Sequence, residues 1–285
     1  DMSANGQSFI VSIEGKDRPG LAEGAEAALA SALCRVLSLR KVTDDVSGRA
    51  FLWLKANGGA ARAGEIHGTL ELVLRRFGVS VTVKPADPPR LILMVSKLGH
   101  CLEDLLQRIA NGEIRAQVSA IVSNHENFEG LAAQYGVPFH FWPVTPATKA
   151  QQEAKLLELF KKSRAELLVL ARYLQILSPG LCERLAGRII NIHPSLLPAF
   201  KGARAYDQAE AHGVRFVGAT AHYVTAGLDE GPVIEQSVFR ISGSESASEL
   251  AKRGRQAEIA ALARAVKLHS EGRVFLIGRR TVIAD

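Results

Sequence analysis

Three side chains on two short segments could together act on an acyl group: the amide of Asn191, the imidazole of His193 and the carboxylate of Asp229. The first two lie in Asn191-Ile192-His193-Pro194-Ser195-Leu196-Leu197-Pro198, the third in Gly227-Leu228-Asp229-Glu230-Gly231-Pro232. Each segment is bounded by Gly or Pro and follows an apolar, strand-like run, residues 188–190 and 216–224. Groups at strand ends and on loops are held by a scaffold yet reach solvent. A carboxylate near an imidazole favours its charged form and fixes its orientation. Such a pair can take a proton from water and return it to a leaving group. A neutral amide can donate to a carbonyl oxygen that gains negative charge, an effect worth roughly 10²–10³ in rate per donor. None of the three is an obvious covalent nucleophile, which favours direct attack by water or an amine on a small acyl group. Ser195 lacks the Gly-x-Ser-x-Gly elbow of a nucleophile and reads as a loop-stabilising residue. Taken singly, an Asn-x-His pair or an Asp before Gly-Pro is ordinary turn chemistry. The two strings together call for an explanation.

These residues need a scaffold, and the pattern from Leu91 onward supplies one. Strands are expected near 91–95, 118–123, 138–142, 167–171, 188–191, 215–224 and 232–239. Helices are expected near 101–110, 147–163, 205–212 and 246–268, the last with Leu250, Ile259, Leu262 and Val266 on one side. The first five strands, mostly separated by helical segments, imply a parallel sheet with right-handed crossovers. Residues 8–83 read differently. Strands at 8–13, 36–39, 50–54 and 79–83 alternate with helices at 20–33 and 62–77 in the order βαββαβ. Pro85-Ala86-Asp87-Pro88-Pro89 is a short stiff connection. The expected organisation is therefore a first domain at 1–85, a linker at 86–89 and a second domain at 90–285.

The second domain resembles a known family. Asn191 to Pro198, then Gly218-Ala219-Thr220-Ala221-His222-Tyr223-Val224, then Leu228-Asp229-Glu230-Gly231-Pro232-Val233-Ile234, look like the core of the folate-dependent formyltransferases. That family includes glycinamide ribonucleotide transformylases and formyltetrahydrofolate deformylases. The transformylases carry a Gly-rich phosphate loop after the first strand. Here that place holds Ser96-Lys97-Leu98-Gly99-His100-Cys101-Leu102, with one Gly and no cradle, and resembles the deformylase branch. Gly99 stands where that branch typically has Asp. Pro194, Ala205 and Asp207 also depart from it, and the loop at 194–198 looks more like the transformylases. The resemblance implies a Rossmann-like formyltransferase fold and a reaction, hydrolysis of 10-formyltetrahydrofolate to formate and tetrahydrofolate, in one-carbon and purine metabolism. It implies roles for Asn191, His193 and Asp229 as catalytic residues. Tyr173, Leu174, Gln175, Ile176 and Leu177 would line the pterin pocket, with His222, Val224, Thr225, Gly227 and Leu228 completing the substrate-binding set. For Leu174, Ile176 and Leu177 a pocket wall and ordinary core fit equally well. His222 fits a structural partner as well as a participant. The Asp–His pair titrates as a unit, so the first proton is not apportioned between them. The alternatives are transfer to an unidentified amine acceptor, or an inactive folate-binding regulatory protein.

The first domain, with Asp17-Arg18-Pro19-Gly20-Leu21 leading into an Ala-rich helix, resembles an ACT domain of ferredoxin-like order. That resemblance implies assembly into a homo-oligomer, a dimer or tetramer, and an amino-acid effector at a subunit interface. The Gly-Asn pair usual after the first helix is absent. Leu33-Cys34-Arg35-Val36 stands there instead.

Composition narrows the classes. Hydrophobic residues make up 47% and charged residues 22% of the 285, as in ordinary globular proteins. The net charge of +6 comes from scattered Lys and Arg, in no tract longer than a pair and without interleaved aromatics, so nucleic acid is not an expected partner. Mild positive charge suits the anionic folate tail. No apolar run reaches membrane-spanning length, and residues 1–7 are too short and polar for a leader, so a cytoplasmic protein is expected. Cys34, Cys101 and Cys182 show no pairing pattern and are expected buried in a reducing compartment. The eight His show no ligand spacing, so no metal is expected, nor any prosthetic group.

Overall fold

The computed structural model describes residues 6–285. Residues 1–5, the polar start of the expected first domain, lie outside the described residues. Contacts divide the chain into two units, Pro88–Ser270 and a unit made of Asp1–Asp87 with Glu271–Asp285.

The amino-terminal unit contains β1 (Ser8–Lys16), α1 (Leu21–Ser31), β2 (Arg35–Asp44), β3 (Arg49–Asn57), α2 (Ala63–Leu74) and β4 (Ser80–Pro85). The four strands form an antiparallel sheet in the order β2-β3-β1-β4. Alternation sends Phe9, Val11 and Ile13 to one face, where they pack with Leu52 and Leu54 against Leu21 and Leu29 of α1 and Ile66 and Leu70 of α2. Each such fully buried side chain contributes roughly 1.5–3 kcal/mol. β2 is longer than expected because it pairs with β3 along its whole length, from Arg35 opposite Asn57 to Asp44 opposite Arg49. The second helix is shorter than the expected 62–77. It ends at Leu74 and tightens into a 3₁₀ turn, Arg75–Phe77, before Gly78. Leu33 adopts φ 57 with its side chain 88% exposed. The turn after α1 thus keeps a left-handed position without the glycine that would occupy it freely.

The second unit contains β5 (Arg90–Val95), α3 (His100–Ala110), β6 (Gln117–Ser123), α4 (Glu129–Gln134), β7 (Phe139–Phe141), α5 (Lys149–Lys162), β8 (Leu167–Leu170), α6 (Pro179–Arg184), β9 (Ile189–His193), α7 (Ala205–Ala211), β10 (Phe216–Tyr223), β11 (Val233–Arg240) and α8 (Ala247–Ser270). The strands form one sheet in the order β11-β10-β9-β8-β5-β6-β7. β5 to β9 run parallel, while β10 runs antiparallel to both β9 and β11. Leu91 to Val95 and Leu167 to Leu170 are buried throughout, as central strands covered on both faces require. α4 and α6, six residues each, were not expected, being too short to show a helical period. On α8, Leu250, Leu262 and Val266 are buried as expected, but Ile259 is only half-buried. Its neighbour Glu258 takes the inward place. The chain order reverses about β5, leaving a crevice at the carboxyl ends of β5 and β8, where ligands of open α/β sheets bind.

The last fifteen residues depart from the expected second domain. β12 (Val274–Ile277) and β13 (Arg280–Ile283) form a hairpin counted with the amino-terminal unit. The outer face of that unit's sheet explains it: Ile10, Phe51 and Trp53 are apolar, and Phe275 and Ala284 bury them. The Phe51 and Phe275 rings lie 5.2 Å apart, and Trp53 Nε1 donates to Glu271 O at 2.8 Å. Arg280 forks onto Asp44, Nη1 to Oδ1 at 3.2 Å and Nη2 to Oδ2 at 3.0 Å. Arg280 first, then Ser47, holds the Asp44 carboxyl well below its ordinary value of 3.8. A carboxyl lowered on folding stabilises the fold above the unfolded value and loses that contribution as pH falls below it. A double-mutant cycle of Asp44→Asn and Arg280→Gln is therefore expected to show favourable coupling at pH 7 that fades below about pH 4. Denaturant titrations at both pH values check this, and pH-independent coupling would refute it.

Candidate active site

β9 carries Asn191 and His193, residues of one strand face two positions apart. The expected strand stopped at 191. It runs two residues further because β10 pairs with it, Thr220 opposite His193 and His222 opposite Asn191. That register brings a second histidine to the amide. His222 Nε2 lies 3.3 Å from Asn191 Nδ2, while its Nδ1 lies 2.9 Å from Tyr223 O. The Tyr223 carbonyl can only accept, so Nδ1 carries the proton and Nε2 accepts from the Asn191 amide. Burial lowers the His222 pKa below 6.5, consistent with a neutral ring in that tautomer. One Asn191 N–H is thus held by His222, and the amide is oriented. Gly231 is required here, since a Cβ at that position would lie 1.6 Å from Tyr223 O.

Asp229 follows β10 with φ 53. Its Oδ2 accepts from Gly202 N at 2.9 Å and lies 3.3 Å from His193 Nδ1, and its Oδ1 lies 3.8 Å from His222 Nε2. The other ring nitrogen of His193, Nε2, lies 2.9 Å from Phe200 O. His193 therefore sits between two oxygen acceptors, with side chains of 6% exposure on both sides of the pair. The loop between β9 and α7 is tied down locally. Ser195 Oγ donates to Ala199 O at 2.6 Å, and Thr220 Oγ1, which donates to Ser195 O, accepts from Leu197 N. Ser195 is thus bonded within the loop, as the absence of an elbow implied.

Asn191, His193, Gly202, His222 and Asp229 face one cavity of about 450 Å³, within the range of small-molecule sites. It also collects Tyr173, Leu174, Gln175, Ile176 and Leu177 from the segment after β8, and Val224, Thr225, Gly227 and Leu228 from that after β10. The choice between wall and core is resolved residue by residue. Leu174 and Ile176 are 58% and 63% exposed at the cavity, whereas Tyr173 and Leu177 also belong to the core. Burial, with the Glu153 charge, pushes the Tyr173 hydroxyl up to about 12. The segment is held by Ser96 at the end of β5, whose N–H donates to Arg172 O and whose Oγ accepts from Leu174 N. Arg172, Gly202, Ala203 and Arg204, not among the site residues singled out from the sequence, also line the cavity. The signal for them is conformational. Of the six non-glycine residues with positive φ among the described residues, Arg172, Arg204 and Asp229 line it, and Phe200 accepts from His193.

Behind Arg172 lies a buried charge cluster. Glu258, 2% exposed, meets His100 Nε2 at 2.7 Å and Arg172 Nε at 3.3 Å, and accepts from Tyr206 Oη at 3.0 Å. Gly254 makes room for it, because a Cβ there would lie 1.7 Å from Tyr206 Oη. His100, Cys101 and Glu258 are close enough together to suggest a cation site. The chemistry opposes one: burial, then the Glu258 charge, pushes the Cys101 thiol well above its ordinary value, and Arg172 already neutralises Glu258. Gly99, where Asp was typical, sits against Phe128, and a Cβ would lie 2.4 Å from Cε1 of that ring. Cys34, Cys101 and Cys182 are all unpaired and buried. Among the described residues no helix is long and apolar enough to cross a membrane.

An oriented amide, a carboxylate–imidazole pair and an apolar wall beside them suit attack on an acyl group held by a flat ring system. Known proteins agree. Residues 89–266 match the family model described as formyl transferase. A formyltetrahydrofolate deformylase of Corynebacterium sp. (strain P-1) is 42% identical, over 87% of this chain and 88% of its own. The crystal structure of a formyltetrahydrofolate deformylase from Burkholderia mallei superposes with a TM-score of 0.87 at 45% identity, over 98% of this chain and 100% of its own. A glycinamide ribonucleotide transformylase from Symbiobacterium toebii covers only 70% of this chain, with a TM-score of 0.65 at 33% identity. The transformylase therefore leaves part of this chain unmatched, whereas the deformylase structure spans nearly all of it. The chain belongs to the formyl transferase family, in the branch of the formyltetrahydrofolate deformylases.

Proposed function

We propose that the protein hydrolyses 10-formyltetrahydrofolate to formate and tetrahydrofolate by direct attack of water on the formyl carbon, in one-carbon and purine metabolism. The observation that carries this reading is the convergence of Asn191, His193 and Asp229 on the cavity walled by Leu174 and Ile176. The pterin ring lies against that apolar wall, with the N10-formyl group toward Asn191. The water oxygen bonds to the formyl carbon, and the carbonyl electron pair moves onto its oxygen. The Asn191 N–H not held by His222 stabilises that oxyanion. The Asp229–His193 pair takes a proton from the water and returns one to N10 as the C–N bond breaks. The second water proton leaves when the product ionises to formate.

The test is formate release from 10-formyltetrahydrofolate by the purified protein, with and without glycinamide ribonucleotide. Formate is expected without any acceptor, and its rate is expected to fall roughly 10²-fold or more in Asn191→Ala. Release that required an amine acceptor would sink the hydrolytic reading in favour of transfer.

We further infer that the first domain, expected at 1–85, acts as an ACT-like unit for assembly of a homo-oligomer, a dimer or tetramer, with an amino acid as its effector. The βαββαβ order and the β2-β3-β1-β4 sheet support this. Three unpaired, buried cysteines fit a reducing cytoplasm.

A further inference from the structure

We propose that the cavity contains a carboxylate-binding subsite formed by Arg172 and Arg204, beside the Asn191–His193–Asp229 group. The inference rests on the hydrolytic reading for the choice of ligand, because that reaction releases one carboxylate, formate, from a substrate that carries others on its glutamyl tail.

Most ionisable groups lining the cavity are already engaged. Asp229 is held by Gly202 and His193, His193 by Asp229 and Phe200, and His222 by Tyr223 and Asn191. The two guanidinium groups differ. Arg172 faces Glu258 through Nε as an ion pair at 3.3 Å, but that buried Nε makes no hydrogen bond, and among the described residues neither Nη makes one. Arg204 lines the same cavity, and its side chain has no hydrogen bond or ion pair among the described residues. Both are charged at any working pH, and a guanidinium fork matches a planar carboxylate with two parallel bonds.

The backbone places them together. Arg204 lies between Gly202, which donates to Asp229, and Tyr206, which donates to Glu258, the partner of Arg172. The stretch 202–206 therefore spans from the carboxylate of the reacting group to the carboxylate behind Arg172. Both arginines adopt left-handed backbone, φ 66 and φ 56, a conformation that costs free energy in a residue with a Cβ. Glu258 holds Arg172 but engages only its Nε side. A carboxylate arriving from the cavity meets the remaining donors, and the positive charges of Arg172 and Arg204 offset the Asp229 charge that would repel it.

Two sources supply such a carboxylate, and direct binding separates them. The whole protein is titrated with sodium formate and, separately, with p-aminobenzoylglutamate as the tail fragment. The titrations are repeated on Arg204→Ala, an exposed position, and on Arg172→Lys, which keeps a cation beside Glu258 but loses the fork. Each substitution is expected to weaken binding about tenfold, the loss of one charge-assisted pair. Weakening for formate alone assigns the subsite to the product, and weakening for p-aminobenzoylglutamate alone assigns it to the tail. Variants that bind both ligands as the parent does would overturn the subsite, as would a parent that binds neither. A parent that binds formate in an Arg204-dependent way yet releases none from 10-formyltetrahydrofolate would overturn the hydrolytic reading and leave the subsite standing.

Discussion

Asp229→Asn is expected to lower kcat by at least about 10²-fold while leaving the KM for 10-formyltetrahydrofolate within a few-fold of the parent. Asparagine has the same size and is among the few residues that tolerate left-handed backbone, so the φ of 53 at this position survives the change. Its side-chain oxygen can still accept from Gly202 N, which keeps the 202–206 stretch in place. What it cannot do is carry the negative charge that faces His193 Nδ1 at 3.3 Å, or take a proton from water. Leu174, Ile176 and Leu228 are untouched, so folate binding is largely kept. Steady-state kinetics decide the matter. An Asn variant with the parent's kcat would remove Asp229 from the chemistry, and one that lost only KM would make it a binding residue instead.

Glu258→Ala is expected to be the most destabilising single change in the second unit, by about 3–5 kcal/mol. The carboxylate is 2% exposed and serves three partners from three other segments, His100 at the start of α3, Arg172 after β8 and Tyr206 on α7. Truncation leaves the Arg172 guanidinium, itself 13% exposed, without its counter-charge and the Tyr206 hydroxyl without its acceptor. An uncompensated buried charge costs more than the pair gains, which is why removal of one partner is severe. Glu258→Gln keeps the shape and an acceptor for Tyr206 and should cost less. Thermal melts compare them. A loss of this size lowers the midpoint by roughly 10 °C in a unit of this length. An alanine variant melting with the parent would mean that the cluster is hydrated and contributes nothing. Because Arg172 lines the cavity, the same variant is expected to raise KM in whatever protein remains folded.

Part of the fold and site was legible in the sequence for a plain reason. Strand and helix periods are local, and the buried runs at 91–95 and 167–170 are continuous because both faces of a central parallel strand are covered. Asn191 and His193 are two apart on one strand, and Asp229 follows the next, so their proximity needed only the pairing of β9 with β10. The thirteen residues singled out for the site line the same cavity because they lie on two contiguous stretches and one strand end.

Other features depend on residues far apart in sequence. Glu258 reads as the polar neighbour of Ile259 on an amphipathic helix, and only the meeting of α8 with His100, Arg172 and Tyr206 turns it inward. The closing hairpin, assigned by order to the second domain, packs on the first because the outer face of that sheet is apolar at Ile10, Phe51 and Trp53. Exposure separated Leu174 and Ile176 from Leu177, which an apolar pattern treats alike. By itself, then, the sequence determined which side chains could do the chemistry and which strands present them, since those depend on local periodicity and on segments a few residues long. Tertiary structure alone decided the tautomer of His222, the orientation of Asn191, the charge behind Arg172 and the meeting of Arg172 and Arg204 on the cavity that holds Asn191 and Asp229, because each depends on a distance between residues that the chain order does not specify.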